Sequence, residues 1–333
     1  MVRPPTLLLA LAAALLPACT TTTPPAMPRP LLPCPPEVAE PRVVPPPELV
    51  HGEHADDGRF VGELQGLGER VHFSLWRTHS GHHEAPPMIL LVPILAGGED
   101  LMVTVASELL DRGFDVALCK RVASAMKEPQ RGPELEHLFH RTVLHQRLLL
   151  SWLRASDRPP SALCVMGISL GGMVASAVAA TEPDLAAVAI CLSGGDVADL
   201  VVTSSENRVQ RWRHWRHAAD GVGDDHVRQD VLQNLRHEPL RTAHAVATDK
   251  VLFVSGALDT VVPPRHQDLL WEALGRPQRF TVPFGHYSAF LMLPDVVEAA
   301  AEHFRRRLPR PLPRPAGATA AAAPPCTSHP GPV

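Results

Sequence analysis

Short apolar runs alternate with longer amphipathic stretches through the middle of the chain. Residues 88–92, Met-Ile-Leu-Leu-Val, form an unbroken apolar run, which is typical of a central strand covered on both faces. Residues 70–77 alternate between polar and apolar side chains, which predicts a strand with one exposed face. Further short apolar runs predict strands at residues 115–119, 162–166, 187–192, 251–254 and 279–282.

The segments between these runs have a helical pattern. Leucines and a tryptophan within residues 138–153 recur at helical spacing. Alternating strands and helices predict an α/β fold, in which a mostly parallel central sheet is flanked by helices. Residues 196–249 interrupt the alternation with a polar, helix-compatible stretch, and we expect a helical cap inserted between the last strands.

Segments near both ends of the chain are rich in proline, whereas the middle is not. More than half of the 36 prolines lie in residues 20–50 and 309–333. The first segment is predicted to be an extended linker and the second a disordered Pro/Ala-rich tail. Residues 51–308 between them are predicted to form one domain, with the cap at about 196–249.

The N-terminus has the features of an export signal. Residues 1–19 contain a basic residue, an apolar run over 6–16 and a small residue before Cys19. Residues 16–19, Leu-Pro-Ala-Cys, resemble the bacterial lipobox, and that resemblance implies lipidation of Cys19 and a membrane anchor; export by an ordinary signal peptide is the alternative. Thr20 implies, by the same resemblance, an outer-membrane lipoprotein facing the periplasm or the surface.

Charge and cysteine spacing exclude some functions. A net charge of −4 gives no attraction to nucleic acid, so none is expected as a partner. Cys119, Cys164 and Cys191 lie in predicted strands and are expected to be buried free thiols. Cys34 and Cys326 lie in the Pro-rich ends, and whether they pair stays open.

A histidine-rich stretch raises the question of a metal. His79, His82, His83 and Glu84 carry possible ligands, but adjacent histidines in a strand or loop point in different directions. We therefore interpret this stretch as a solvated turn and predict no metal site.

The strongest chemical signal is a serine at a sharp turn. Residues 167–171, Gly-Ile-Ser-Leu-Gly, follow the predicted strand at 162–166 and precede small and helix-forming residues at 173–180. A serine at such a turn projects its hydroxyl from the sheet edge, and glycines two residues to either side avoid collisions. Ser169 is thus a candidate nucleophile; an N-cap in a nucleotide-binding sheet is the alternative.

A serine nucleophile needs a base and an acid that orients the base. Asp259 lies in a loop just past the strand at 251–254, and His286 lies in the equivalent loop after the last strand. Functional groups gather at this edge of open α/β sheets. Asp196, after the strand at 187–192, is the rival for the acid.

The order Ser169, Asp259, His286, with the Gly-x-Ser-x-Gly turn and the Gly-His pair at 285–286, resembles the α/β-hydrolase superfamily over residues 60–308. The resemblance implies the α/β-hydrolase fold and a Ser-His-Asp catalytic triad. Leu170 would supply one oxyanion-hole N–H, and Leu95, or else Ala96, the second. The chain lacks the His-Gly that many members have at this second position.

The substrate pocket is the least determined part of the site. Its candidate apolar residues, besides Leu170, are Met173, Trp212, Trp215 and Phe290. Residues 211–216 mix arginine with tryptophan, as membrane-surface or nucleic-acid segments do. We favour a lid helix that packs its tryptophans over the active site and exposes its arginines.

These features predict a serine hydrolase of the esterase or lipase type. Its substrate would be a small-molecule or lipid-like acyl compound, cleaved through an acyl-enzyme without metal or organic cofactor. An acyltransferase with the same triad is one alternative. A lipoprotein whose hydrolase fold is catalytically silent and serves in binding is the other.

Overall fold

A single sheet runs through the computed structural model, which describes residues 43–78, 85–94 and 99–308. Its strands are β1 (Glu48–His54), β2 (Phe60–Gly66), β3 (Glu69–Trp76), β4 (Met88–Val92), β5 (Asp115–Cys119), β6 (Leu163–Ile168), β7 (Ala187–Cys191), β8 (Val251–Gly256) and β9 (Gln278–Val282). Their order across the sheet is β1-β2-β3-β5-β4-β6-β7-β8-β9.

The sheet is antiparallel at one end and parallel elsewhere. β1, β2, β3 and β5 pair antiparallel in that order, and every pair from β5 to β9 is parallel. The mostly parallel α/β sheet predicted from the sequence is therefore confirmed. The prediction missed β1 and β2, because β1 is exposed along its whole length and lacks alternation of polar and apolar residues, and β2 is interrupted by Gly62 and Gly66.

Helices cover both faces of the sheet. They are α1 (Glu99–Asp111), α2 (Gly132–Ala155), α3 (Leu170–Thr181), α4 (Val197–Thr203), α5 (Asn207–Asp220), α6 (Asp224–Asn234), α7 (Pro239–Thr242), α8 (Pro264–Ala273) and α9 (Leu293–Arg307). Residues of α1 and α9 pack on one face, and residues of α2, α3 and α8 pack on the other.

The unbroken apolar run of β4 follows from this three-layer arrangement. Successive side chains of a strand point to opposite faces, so a strand covered on both sides needs an apolar residue at every position. Ile89 and Leu91 accordingly belong to the core beneath α1 and α9, whereas Leu90 and Val92 belong to the core beneath α2 and α3.

Helices α4 to α7 form the cap, which lies between β7 and β8 as the sequence predicts. An ion-pair network ties the cap to the start of α2. The Arg216 guanidinium, 3% exposed, lies 2.7 Å from the Asp230 carboxylate, and Arg131 lies 2.6 Å from Asp220. Asp230 also accepts a hydrogen bond from the Gly132 N–H, at 2.9 Å. These bonds hold the cap on the domain at the end of α5 and along α6.

The predicted linker at residues 20–50 is wrong at its C-terminal end. β1 begins at Glu48, Pro47 is buried, and the Val44 carbonyl accepts a hydrogen bond of 2.7 Å from the Ser151 hydroxyl. Proline lacks an N–H, but its ring can pack and neighbouring carbonyls still accept. A Pro-rich sequence therefore does not prevent this segment from joining the domain.

Several sequence predictions lie outside the described residues. These are the signal segment at 1–19 with Cys19, most of the linker with Cys34, the histidine-rich stretch at 79–84, and the tail at 309–333 with Cys326. Within the part of the chain that is described, none of the helices combines the length and the apolar character needed to cross a bilayer.

Candidate active site

Ser169 occupies the sharp turn between β6 and α3. Its backbone has φ 57° and ψ −123°, a region that residues with a side chain rarely adopt. The Ser169 N–H donates to the Cys191 carbonyl at 2.8 Å, which fixes the turn against β7. The Ser169 side chain makes no capping bond to α3, so the alternative role as a helix N-cap does not hold.

Glycines are required on both sides of this serine because the backbone is crowded. A Cβ on Gly167 would lie 2.0 Å from the Gly171 carbonyl oxygen. A Cβ on Gly171 would lie 2.4 Å from the Val92 carbonyl oxygen at the end of β4. Since backbone atoms cannot move aside as a flexible side chain can, both positions exclude any larger residue.

Asp259 lies in the loop that follows β8 and is 2% exposed. One of its carboxylate oxygens accepts the N–H groups of Val261 and Val262, at 2.9 and 2.8 Å. The other accepts from Nδ1 of His286 at 2.7 Å. The turn after Asp259 thus fixes the carboxylate and directs its free oxygen toward the histidine.

His286 lies between this carboxylate and the serine. Its Nε2 is 2.9 Å from the Ser169 hydroxyl. Because an ionised carboxylate can only accept, the Nδ1 of neutral His286 carries the proton, and its Nε2 accepts from the serine hydroxyl. This arrangement is the one required for removing the serine proton during nucleophilic attack.

Backbone bonds hold the two loops together. The Leu258 N–H donates to the Phe284 carbonyl at 3.1 Å, and the Ala257 N–H donates to the Val282 carbonyl at 2.9 Å. The three side chains come from loops after β6, β8 and β9, all at the carboxyl edge of the parallel sheet.

The rival acid, Asp196, lies elsewhere. It caps the N-terminus of α4, where its carboxylate accepts the Asp199 N–H at 3.2 Å. Its backbone adopts a left-handed conformation with φ 56°. The geometry therefore pairs His286 with Asp259, and Asp196 has a structural role at the base of the cap.

The first residue of α3 is Leu170. The N–H groups of a first helical turn have no partner within the helix, so the Leu170 N–H is available beside Ser169. The second predicted oxyanion donor, Leu95, and its alternative, Ala96, lie outside the described residues.

A cavity of about 350 Å³ opens onto Ser169 and His286 beneath the cap. Leu170, Met173 and Phe290 line it, as the sequence predicts. The other apolar lining residues are Ile94, Leu101, Met126, Phe139, Ile168, Leu192, Val197, Leu200, Val201, Val209, Val261 and Val262. The cap supplies four of these through α4 and α5, so it forms part of the cavity wall.

The prediction that Trp212 and Trp215 line the pocket is wrong. Trp212 is fully buried away from the cavity, and its indole N–H donates to the Gln130 carbonyl at 2.8 Å. The Arg131 guanidinium lies over the Trp215 ring, 5.2 Å from the centre of that ring. The cavity ends at Val209, and Trp212 lies about one turn further along α5, where it packs against the segment before α2.

The idea that this helix exposes its arginines is wrong for Arg216 and holds only in part for Arg213, whose side chain is 18% exposed. Arg216 is buried and stacks over Trp212 at 5.6 Å while it pairs with the cap carboxylates. Arg211 is exposed. The mixture of arginine and tryptophan in residues 211–216 therefore packs the cap against the domain.

Glu206 and Tyr287 are among the lining residues that sequence reasoning missed. Glu206, at the N-cap of α5, is only 8% exposed, and its carboxylate accepts a hydrogen bond from the Tyr287 hydroxyl. Partial burial and the nearby Glu206 carboxylate raise the pKa of Tyr287 to about 12. Tyr287 directly follows His286 and is the only tyrosine of the chain, a signal that could have been used; Glu206 carries no such signal.

Comparison with known proteins agrees with this fold. A model of the prolyl oligopeptidase family matches residues 154–281, a stretch that includes Ser169 and Asp259 and ends before His286. Two uncharacterized proteins from two strains of Mycobacterium tuberculosis are each 32% identical over 163 residues, which is 47% of this chain. The match covers only 36% of the length of these relatives.

Solved structures share the architecture at low identity. Acetyl xylan esterase 1 from Thermoanaerobacterium matches with a TM-score of 0.57 at 16% identity, over 79% of this chain and 95% of the esterase. A 2,6-dihydroxy-pseudo-oxynicotine hydrolase has a TM-score of 0.54 at 20% identity, over 79% and 68%. A cold-adapted esterase from an Arctic metagenomic library has a TM-score of 0.52 at 15% identity, over 79% and 100%.

The chain has the α/β-hydrolase fold: a mostly parallel sheet between two helical layers, with a helical cap before the last strands. The family match together with these structures supports a serine hydrolase on this fold.

Proposed function

We propose that the protein hydrolyses carboxylic esters or related acyl compounds of small molecules through a covalent acyl-enzyme. The observation that carries this proposal is the hydrogen-bonded series Ser169, His286, Asp259 at the wall of an apolar cavity. Two of the structurally similar proteins are esterases by name, which favours ester substrates. The cavity volume, about 350 Å³, is near the lower end of small-molecule pockets.

In this mechanism the Ser169 hydroxyl attacks the acyl carbonyl while Nε2 of His286 takes its proton. The Leu170 N–H stabilises the oxyanion that forms. Asp259 holds His286 in the required tautomer and stabilises the imidazolium. The leaving group departs with the proton from His286, and water activated by the same histidine then releases the acyl group from Ser169.

Labelling with a fluorophosphonate probe tests the proposal. The wild-type chain should be labelled, whereas Ser169→Ala and His286→Ala should not. Ser205→Ala, which removes an exposed hydroxyl of the cap, is the matched control and should be labelled like wild type. A folded wild-type protein that fails to react would refute the proposal and favour a binding role.

Product analysis separates hydrolysis from acyl transfer. An acyltransferase with the same triad would pass the acyl group to an added alcohol, and ester exchange would exceed acid formation. We expect free acid as the main product with and without acceptor, from chromogenic esters and from the matching amides.

We also propose that the chain is an exported lipoprotein anchored through Cys19. The support is the sequence of residues 16–19 and the apolar run before it. Metabolic labelling with radioactive palmitate in a bacterial host should mark the wild type and not Cys19→Ser. Equal labelling of both would contradict the anchor.

A further inference from the structure

The cavity beside Ser169 contains one carboxylate that the proposed chemistry does not use. Glu206 lies in the cavity wall at the N-terminal end of α5, among aliphatic and aromatic side chains. The other polar lining residues are already engaged. Ser169 and His286 bond each other, and the Ser204 hydroxyl donates to the Val261 carbonyl at 2.7 Å.

The bonding capacity of the Glu206 carboxylate is only partly used. Within the described part of the chain, its donors are the Tyr287 hydroxyl and the Arg208 backbone N–H, the latter at a long 3.3 Å. Neither donor carries a positive charge. An ionised carboxylate can accept about four hydrogen bonds, so two acceptor positions remain for a group in the cavity.

A buried carboxylate without a counter-ion is unfavourable. Elsewhere in the cap, Asp220 and Asp230 pair with arginines, and Glu238 accepts two backbone N–H groups at 2.7 Å outside this cavity. Glu206 instead faces the substrate cavity. Among the described residues no cation forms an ion pair with Glu206, whose charge is opposed only by the N-terminus of α5, and a cationic substrate would supply the counter-ion.

The Glu206 carboxylate is connected to the reacting groups through Tyr287. The Tyr287 ring packs edge-on against the His286 ring, with centres 5.5 Å apart, and its hydroxyl reaches Glu206. One tyrosine side chain therefore separates the carboxylate from the catalytic histidine. A cation bound to Glu206 would therefore lie in the same cavity as a carbonyl at Ser169.

We propose that Glu206 is the binding site for a positively charged ammonium group of the substrate, so that the substrates are amine-bearing acyl compounds with an apolar segment between the amine and the carbonyl. This assignment rests on the proposed hydrolase function and adds the substrate class to it.

A pair of chromogenic ester series tests the assignment. One series carries a terminal ammonium group, and the other has a methyl group in its place on the same chain. We measure the ratio of kcat/KM for each matched pair. Glu206→Gln should lower the ratio of ammonium to methyl substrate at least about tenfold, the strength of a lost charge-assisted hydrogen bond.

The control removes the same charge from elsewhere on the cap. Asp225→Asn, at a fully exposed side chain of α6, should keep the wild-type ratio. An equal loss in both variants would mean a general electrostatic effect and would overturn the assignment. So would a ratio that Glu206→Gln leaves unchanged.

A second measurement requires no turnover. n-Butylammonium should slow fluorophosphonate labelling of the wild type more than n-butanol does at the same concentration and ionic strength. Glu206→Gln should abolish that difference. Equal protection by both compounds in the wild type would refute the ammonium site while the labelling itself still supports the hydrolase, whereas absent labelling would refute the hydrolase.

Discussion

Replacing Asp259 by asparagine should remove most of the activity while leaving the fold intact. The N–H groups of Val261 and Val262 both point at one oxygen of this side chain, at 2.9 and 2.8 Å. An asparagine must place its carbonyl oxygen there, since its NH₂ group would face two donors. The NH₂ then points at Nδ1 of His286, which must become an acceptor, so the proton moves to Nε2.

With its proton on Nε2, His286 can no longer accept the proton of Ser169. The same reversal of tautomer in a serine hydrolase costs about 10⁴-fold in kcat. That factor corresponds to about 5.5 kcal/mol of transition-state stabilisation. We therefore expect the acylation rate of Asp259→Asn to fall by about four orders of magnitude, with little change in thermal stability because both backbone hydrogen bonds persist.

Stopped-flow acylation with a chromogenic ester measures this rate directly. The matched control is Asp196→Asn, because asparagine caps a helix as well as aspartate does. This control should acylate at the wild-type rate. If Asp196→Asn loses activity and Asp259→Asn retains it, the assignment of the acid is wrong. A folded Asp259→Asn that acylates within tenfold of wild type would contradict the tautomer argument.

Three further predictions concern stability. Gly171→Ala would place a Cβ 2.4 Å from a carbonyl oxygen, and we expect the free energy of unfolding, measured in urea, to fall by at least about 2 kcal/mol. The control Gly223→Ser, in open space at the N-cap of α6, should leave the free energy of unfolding unchanged. Trp212→Phe removes a buried indole N–H and should lower Tm. It should not alter the preference for acyl chain length of the substrate, because Trp212 lies outside the cavity; an altered preference would show that Trp212 contacts the substrate. Burial raises the pKa of Glu238 from 4.5 to about 7, although backbone N–H groups bond to the carboxylate and oppose the shift. Its ionisation therefore opposes folding: the stability associated with the neutral acid is fully present below about pH 4.5 and is lost as pH rises through about 7, by about 3 kcal/mol in total. Urea unfolding at about pH 5 and about pH 8 should show this loss in wild type and a flatter profile in Glu238→Gln, whereas equal pH dependence in both would exclude Glu238 as the cause.

Much of the fold could be predicted because local physics determines it. A strand covered on both faces must be apolar at every position, so β4 is visible in the sequence. A strained serine turn needs its flanking glycines, so Ser169 is visible too. β1 was not predicted because it is an exposed edge strand, and its sequence, Glu-Leu-Val-His-Gly-Glu-His, has no alternation of polar and apolar residues.

The cavity wall could not be predicted, because it depends on how the cap packs. Helical periodicity places Val209 and Trp212 on one side of α5, but it does not give the point along the axis where the cavity ends. Burial of Glu206 depends likewise on α5 meeting the loop of His286. Loop identity and chain order were sufficient to predict that Ser169, His286 and Asp259 lie within hydrogen-bond distance of one another, whereas the cavity wall required tertiary coordinates.

The crowded turn around Ser169 has a consequence for how such an enzyme can change. Backbone carbonyls surround Gly167 and Gly171, so no residue larger than glycine is tolerated at these positions. The sequence around Ser169 can therefore change very little. The cap side chains Leu200, Val201 and Val209 line the cavity and pack in the core beneath the cap, so a change in their size changes the cavity. New substrate ranges should therefore arise by exchange of cap residues, and a mutant library restricted to these three positions would sample specificity at little risk to the chemistry.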